Sequence, residues 1–200
     1  MNRDQLLAVG GVIGPATFVG AWAISGASTE GFSSMQSAIS DLAAVGAPTR
    51  IAMTTGFVVF GLGTIAFGLA LHDVLEGPAG IAAIATGACT LGVAAAPLGG
   101  WTGDGVHATF AGLGYATLVA LPVLAAKPIA RRGRPAWARA SVAIGAVSAV
   151  SLLASTLGPA HGFWQRLGLT VGDVWIVTTA AAIVAGAPWT QTGQRRVGES

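Results

Sequence analysis

The sequence predicts an all-α, polytopic integral membrane protein: a bundle of six transmembrane helices, with a short amphipathic outer helix between spans one and two. Three observations carry that prediction. Of 200 residues, 53% are hydrophobic and 9% are charged, with a mean hydropathy of +0.70, so charges are too few to solvate a soluble globule of this size. The apolar residues fall into six runs of about 20, the length that crosses a hydrocarbon core, and they do not alternate with polar ones as barrel strands would. Basic residues collect at the ends of these runs, where headgroups lie. Lipid cannot hydrogen-bond an exposed backbone, so the spans are helices. They use most of the chain, and residues 1–200 read as a single transmembrane domain.

The first run, Leu6 to Ser25, follows Arg3 and Asp4 and leads into Gly26, Ala27 and Ser28. It is similar to a secretory signal, but it exceeds the roughly 7–15 apolar residues of a signal core and Asp4 offsets Arg3. It is therefore read as a retained span. The segment from Ala27 to Arg50 follows. Between Ser33-Ser34 and the stop signal Gly46-Ala47-Pro48, the residues Met35, Ala38, Ile39 and Leu42 fall at i, i+3, i+4 and i+7, which predicts one face of a short helix. Ser37, Ser40 and Asp41 lie off that stripe, so the helix is expected on the membrane surface or over the bundle mouth.

The remaining runs are Ile51 to Leu71, Ala79 to Leu98, Val106 to Ala126, Ala138 to Leu157 and Leu167 to Ala187. Gly10 with Gly14, and Gly168 with Gly172, have the spacing that lets helices pack backbone to backbone. These seams are expected to join helices within the chain, and nothing in the sequence sets an oligomeric state. Pro15, Pro97 and Pro122 are expected to kink the spans locally.

Orientation follows from the basic residues. Arg3, Lys127, Arg131, Arg132, Arg134, Arg139, Arg195 and Arg196 fall on one side, and Arg50 and Arg166 on the other. The richer side is expected in the cytoplasm, which makes this a multi-pass plasma-membrane protein with both termini cytoplasmic. Trp137 and Trp189 would mark the inner interface, and Trp22, Trp101 and Trp164 the outer one. A pI near 9.3 does not imply nucleic acid, because no basic face forms; the expected partners are membrane lipids. Cys89 is the chain's single cysteine, so no intrachain disulfide exists.

On this topology Asp41, Asp104, His107, His161, Arg166 and Asp173 all belong to the outer half. Ionisable groups at membrane depth cost roughly 3 kcal/mol at a helix centre and turn toward a cavity or a partner. Arg166 and Asp173 share a helical face with Thr170 between them, but at 1.5 Å per residue they lie about 10 Å apart along the axis, so each needs another partner. Asp104 is placed to cap span four, and His107 follows it at a spacing that suits an acid/base or metal pair. His107, His161 and Asp104, with Asp41, are the candidates for a zinc site. A Ser/His/Asp arrangement can also be drawn from Ser37 or Ser40, His107 and Asp104. The chain has no phosphate-cradling loop, no His-Glu-x-x-His helix and no Gly-x-Ser-x-Gly elbow, and the sequence assigns no cofactor.

Ser37-Ala-Ile-Ser-Asp-Leu42 with Gly46-Ala-Pro48, then Gly105-Val-His107 at span four and Gly162-Phe-Trp-Gln-Arg166 at span six, resemble the prokaryotic six-span membrane proteins catalogued as domain of unknown function 998. The resemblance covers nearly the whole chain. It implies the six-span fold and no activity, and it directs attention to Ser40, Asp41, His107, Gln165 and Arg166. A looser similarity is to the membrane hydrolases that include alkaline ceramidases and adiponectin-receptor-like proteins, which use serine, aspartate and three histidines at a metal in a seven-span bundle. This chain has six runs and three histidines, and His72 falls at the cytoplasmic end of span two.

Three readings follow. The first is a binding protein whose outer polar cavity holds a lipid headgroup or small amphiphile, with Arg166 against an anionic group and Asp41 and His107 completing the hydrogen bonds. The second is a membrane-embedded enzyme acting on a lipid or isoprenoid-like substrate through Asp104, His107 and His161, with or without a metal. The third is a small transporter or a purely structural or interaction protein.

Overall fold

The computed structural model describes residues 1–191. Among them are six helices long and apolar enough to cross a membrane: Arg3–Ser28, Arg50–Leu75, Pro78–Ala95, Asp104–Arg131, Pro135–Leu157 and His161–Val184, here spans one to six. No strand occurs among the described residues. Span one comprises two helical pieces, Arg3–Ala8 and Gly10–Ser28. A capping box opens it: the Asn2 side chain accepts from the Gln5 amide while Gln5 accepts from the Asn2 amide, which satisfies two of the free N–H groups of a helix start.

Each span packs against the next, and span six returns onto span one to close a ring. At one end, Arg3 meets Asp73 at 2.6 Å and Gln5 donates to the Val184 carbonyl at 3.2 Å. This end also carries the turn that follows span four, with Arg131, Arg132 and Arg134; we call it the basic end. Arg195 and Arg196 lie outside the described residues. Glycines set the close approaches. A Cβ on Gly10 would come within 2.6 Å of the Gly63 carbonyl oxygen, and one on Gly14 within 3.3 Å of Phe60 backbone. Gly168 sits against Leu152 and Ser148, and Gly172 against Leu118, so all four small residues face other helices of the same chain. Trp137, expected at an interface, stacks on Trp175 with ring centroids 6.4 Å apart.

The segment between spans one and two departs from expectation. No amphipathic helix forms there; the only helical piece is a five-residue 3-10 turn, Ile39–Ala43. Ile39 and Leu42 are buried, but Met35, on the same expected stripe, is 51% exposed. The cause lies in span six, which takes up the backbone groups that a helix would have paired internally. The carbonyls of Ser34 and Ser37 accept from Arg166, the Met35 carbonyl accepts from the Phe163 amide, and the Ile39 amide donates to Gln165. A backbone group satisfied from outside no longer favours the helical conformation.

Candidate functional site

At the loop end of the bundle, Arg166 organises the connection it faces. It is 7% exposed. Its Nη1 donates to the carbonyl oxygens of Ser34 at 3.0 Å, Ser37 at 2.9 Å and Gly162 at 2.9 Å, and its guanidinium carbon lies 5.2 Å from the Trp22 ring and 5.3 Å from the Phe32 ring. Charge-assisted hydrogen bonds and cation–π contact offset part of the cost of a buried cation, while Nε and Nη2 are buried without a hydrogen-bond partner among the described residues. Gly162 makes the seat possible, because a Cβ there would strike the Ser37 carbonyl and lie 2.9 Å from Arg166 Nη1. Asp41 is exposed and accepts from the Ala38 amide at 2.9 Å, closing the 3-10 turn that carries Ser40.

Deeper in, Ser40 and His107 meet. His107 is 5% exposed and lies in the first turn of span four. Its Nδ1 is 2.8 Å from the Ala96 carbonyl oxygen and its Nε2 is 2.9 Å from Ser40 Oγ. A carbonyl can only accept, so Nδ1 carries the proton of the neutral ring, Nε2 is the acceptor, and the Ser40 hydroxyl donates to it. Ala96 lies just past the last residue of span three, where helix carbonyls lack internal donors. That vacancy is filled by the imidazole.

Gln165 links the two groups of residues. Its carbonyl oxygen accepts from the Ile39 amide at 2.9 Å, and its amide nitrogen donates to the Tyr115 hydroxyl at 2.6 Å. Ser40, Gln165 and Tyr115 form one polar edge of a cavity of about 50 Å³, with further walls from Phe18, Phe57, Phe60 and Phe110. Among the described residues, no acceptor lies within bonding distance of the Tyr115 hydroxyl proton. The cavity therefore pairs a mainly apolar lining with a few directed polar groups.

The other residues singled out from the sequence fall elsewhere. Asp104 does not cap span four; Gly103 holds that position with φ +79°, and Asp104 is the first helical residue, its carboxylate accepting from the Gly99 amide at 2.8 Å. It ties down its own loop and makes no hydrogen bond to His107, whose two ring nitrogens face Ala96 and Ser40. His161 opens span six, half-buried, with no hydrogen bond to the Ser40–His107 pair. Asp173 is 3% exposed, and neither carboxyl oxygen has a protein partner. It lies on the same face as Ala180, which packs toward Gly11 of span one, and it does not line the cavity. No group of three or more His, Cys, Asp or Glu residues placed to hold a metal occurs among the described residues. Sequence reasoning passed over Tyr115, although it is the chain's single tyrosine and a phenol inside an apolar run is a polar handle that needs a partner. The Ala96 carbonyl carried no sequence signal.

No curated protein and no solved structure matches the chain. The family described as protein of unknown function (DUF998) matches residues 12–182, and the six-span membrane protein described here belongs to it.

Proposed function

We propose that this protein binds a lipid or small amphiphile, with the ligand's polar end at Ser40, Gln165 and Tyr115 and its apolar part against the aromatic walls of the cavity. The observation that carries this reading is the composition of that one space, where Ser40, Gln165 and Tyr115 stand at the edge of a chamber lined mainly by phenylalanine and aliphatic side chains, with Thr86 and Thr90, whose hydroxyls donate to carbonyls of their own helix. Volume limits what enters. A dry cavity of 150 Å³ holds a benzene ring, so about 50 Å³ takes the polar group and first carbons of the ligand while the rest of its chain runs between helices into the bilayer. Arg166 and Asp41 serve by holding the loop that carries Ser40, through the carbonyls and amide they bind. The site opens to the outer leaflet of the plasma membrane, with the termini in the cytoplasm, a placement supported by the excess of basic residues at the opposite end.

Photocrosslinking tests this. A diazirine-tagged palmitic acid, added to the protein in nanodiscs, is expected to crosslink near Val93 and Phe110. Ala111→Phe, which fills the cavity from span four, is expected to lower that yield about tenfold, the equivalent of 1.4 kcal/mol of binding. Equal yields in both proteins, or crosslinks confined to outward residues such as Ile81 and Leu153, each 60% exposed, would remove the support for a cavity ligand.

A further inference from the structure

We propose that Ser40 and His107 form a nucleophilic dyad and that the chain hydrolyses an acyl ester of a lipid. The proposal rests on the cavity reading above and names its chemistry. Three observations carry it. First, nucleophile and base are already engaged, with Ser40 Oγ 2.9 Å from His107 Nε2, and the base is oriented by a third group, the Ala96 carbonyl, 2.8 Å from Nδ1. This is the relation of roles that activates a serine, with a carbonyl where a carboxylate often stands. Second, the pair is not the usual way this protein satisfies a hydroxyl. Thr86, Thr90, Thr117 and Thr178 each donate to the carbonyl four residues earlier in their own helix. Ser40 sits instead on a 3-10 turn pinned from span six, and its hydroxyl is directed across to span four. Third, Ser40 lines the cavity together with Tyr115 and Gln165, which supply an uncommitted phenol proton and an amide N–H on the same wall.

The chemistry balances with an ester and water alone. Ser40 Oγ bonds to the ester carbonyl carbon as its proton passes to His107 Nε2, and the carbonyl electron pair moves onto oxygen, where the Tyr115 hydroxyl and the Gln165 amide can donate. Collapse breaks the bond to the alcohol oxygen, which takes the proton from His107 and leaves; the acyl group stays on Ser40. A water then gives its proton to His107 as its oxygen attacks the acyl carbon, and the returning proton restores the Ser40 hydroxyl as the carboxylic acid departs. The Ala96 carbonyl accepts from Nδ1–H throughout and favours the cationic ring that forms between steps.

The full chain in phosphatidylethanolamine–phosphatidylglycerol nanodiscs, treated with a fluorescent decyl fluorophosphonate, decides the matter. Labelling is expected, with the adduct located by mass spectrometry on Ser40 of the wild-type protein. Ser40→Ala should take no label, and His107→Gln should label about 100-fold more slowly, the contribution of a lost general base. An adduct on any other residue, or no adduct, overturns the dyad, and both are read on the wild-type chain, so neither depends on a variant folding. The palmitic acid crosslink separates the two levels. Crosslinking without labelling leaves the binding site and removes the chemistry; absence of both removes both.

Discussion

Arg166 and Asp173 lie on one face of span six and are satisfied to different degrees. Arg166 is buried with three carbonyls at Nη1 and two aromatic rings around it, its Nε and Nη2 unpartnered among the described residues, whereas the Asp173 carboxyl is buried with no protein partner for either oxygen. An unpaired buried carboxyl lowers stability, and removing its capacity to ionise relieves that cost. Asp173→Asn is expected to raise the thermal unfolding midpoint, by an amount corresponding to about 1 kcal/mol. A lower midpoint for the asparagine variant in the same detergent would mean that the carboxyl has a stabilising partner. Both residues were legible in the sequence as ionisable groups at membrane depth. Their partners were not, because Arg166 binds main-chain carbonyls, which every residue carries.

At the scale of an element, the loop between spans one and two shows how tertiary contact overrides local periodicity. Met35, Ala38, Ile39 and Leu42 have the spacing of a helical face, yet the chain keeps only the turn Ile39–Ala43. Span six holds the loop through Phe163, Gln165 and Arg166, and the Val45 amide fastens its far end to the Leu98 carbonyl at 2.9 Å. Gly162 is the point where this fastening is most sensitive, since any Cβ there enters the Arg166 seat. Gly162→Ala is expected to cost about 2 kcal/mol through overpacking and to make the segment from residue 29 to residue 49 the first site of limited proteolysis. Wild-type cleavage kinetics in that variant would show that the loop is held by other contacts. Arg166→Lys should expose the loop in the same way, because an ammonium lacks the planar face that lies against Trp22 and Phe32.

At the scale of the whole molecule, six antiparallel neighbours close into a ring through the contact of span six with span one. The closure brings the polar positions of separate segments to one end, while Arg131, Arg132 and Arg134 gather at the other. With the basic end inward, a cysteine in place of Trp101, 94% exposed, is expected to react with an impermeant thiol reagent on intact cells, in a Cys89→Ala background. One in place of Ala136 should react only after lysis. The reverse pattern would invert the bundle and move the cavity to the cytoplasmic leaflet.

The sequence by itself determined that the chain is a helical membrane protein with six spans, because transfer into lipid is a sum over some 20 residues and composition alone supplies that sum. It also marked where the polar residues fall along the chain. The tertiary structure decided which of them meet. Ser40, His107, Gln165 and Tyr115 come from three segments, the first loop, span four and span six, and contacts of 2.6–2.9 Å among them and with their backbone partners depend on how each helix is rotated and how deep it sits. Glycine seams and ring closure set those rotations, and no local pattern encodes them. Asp104, three residues from His107 in sequence, binds its own loop, while Ser40, far along the chain, reaches the imidazole.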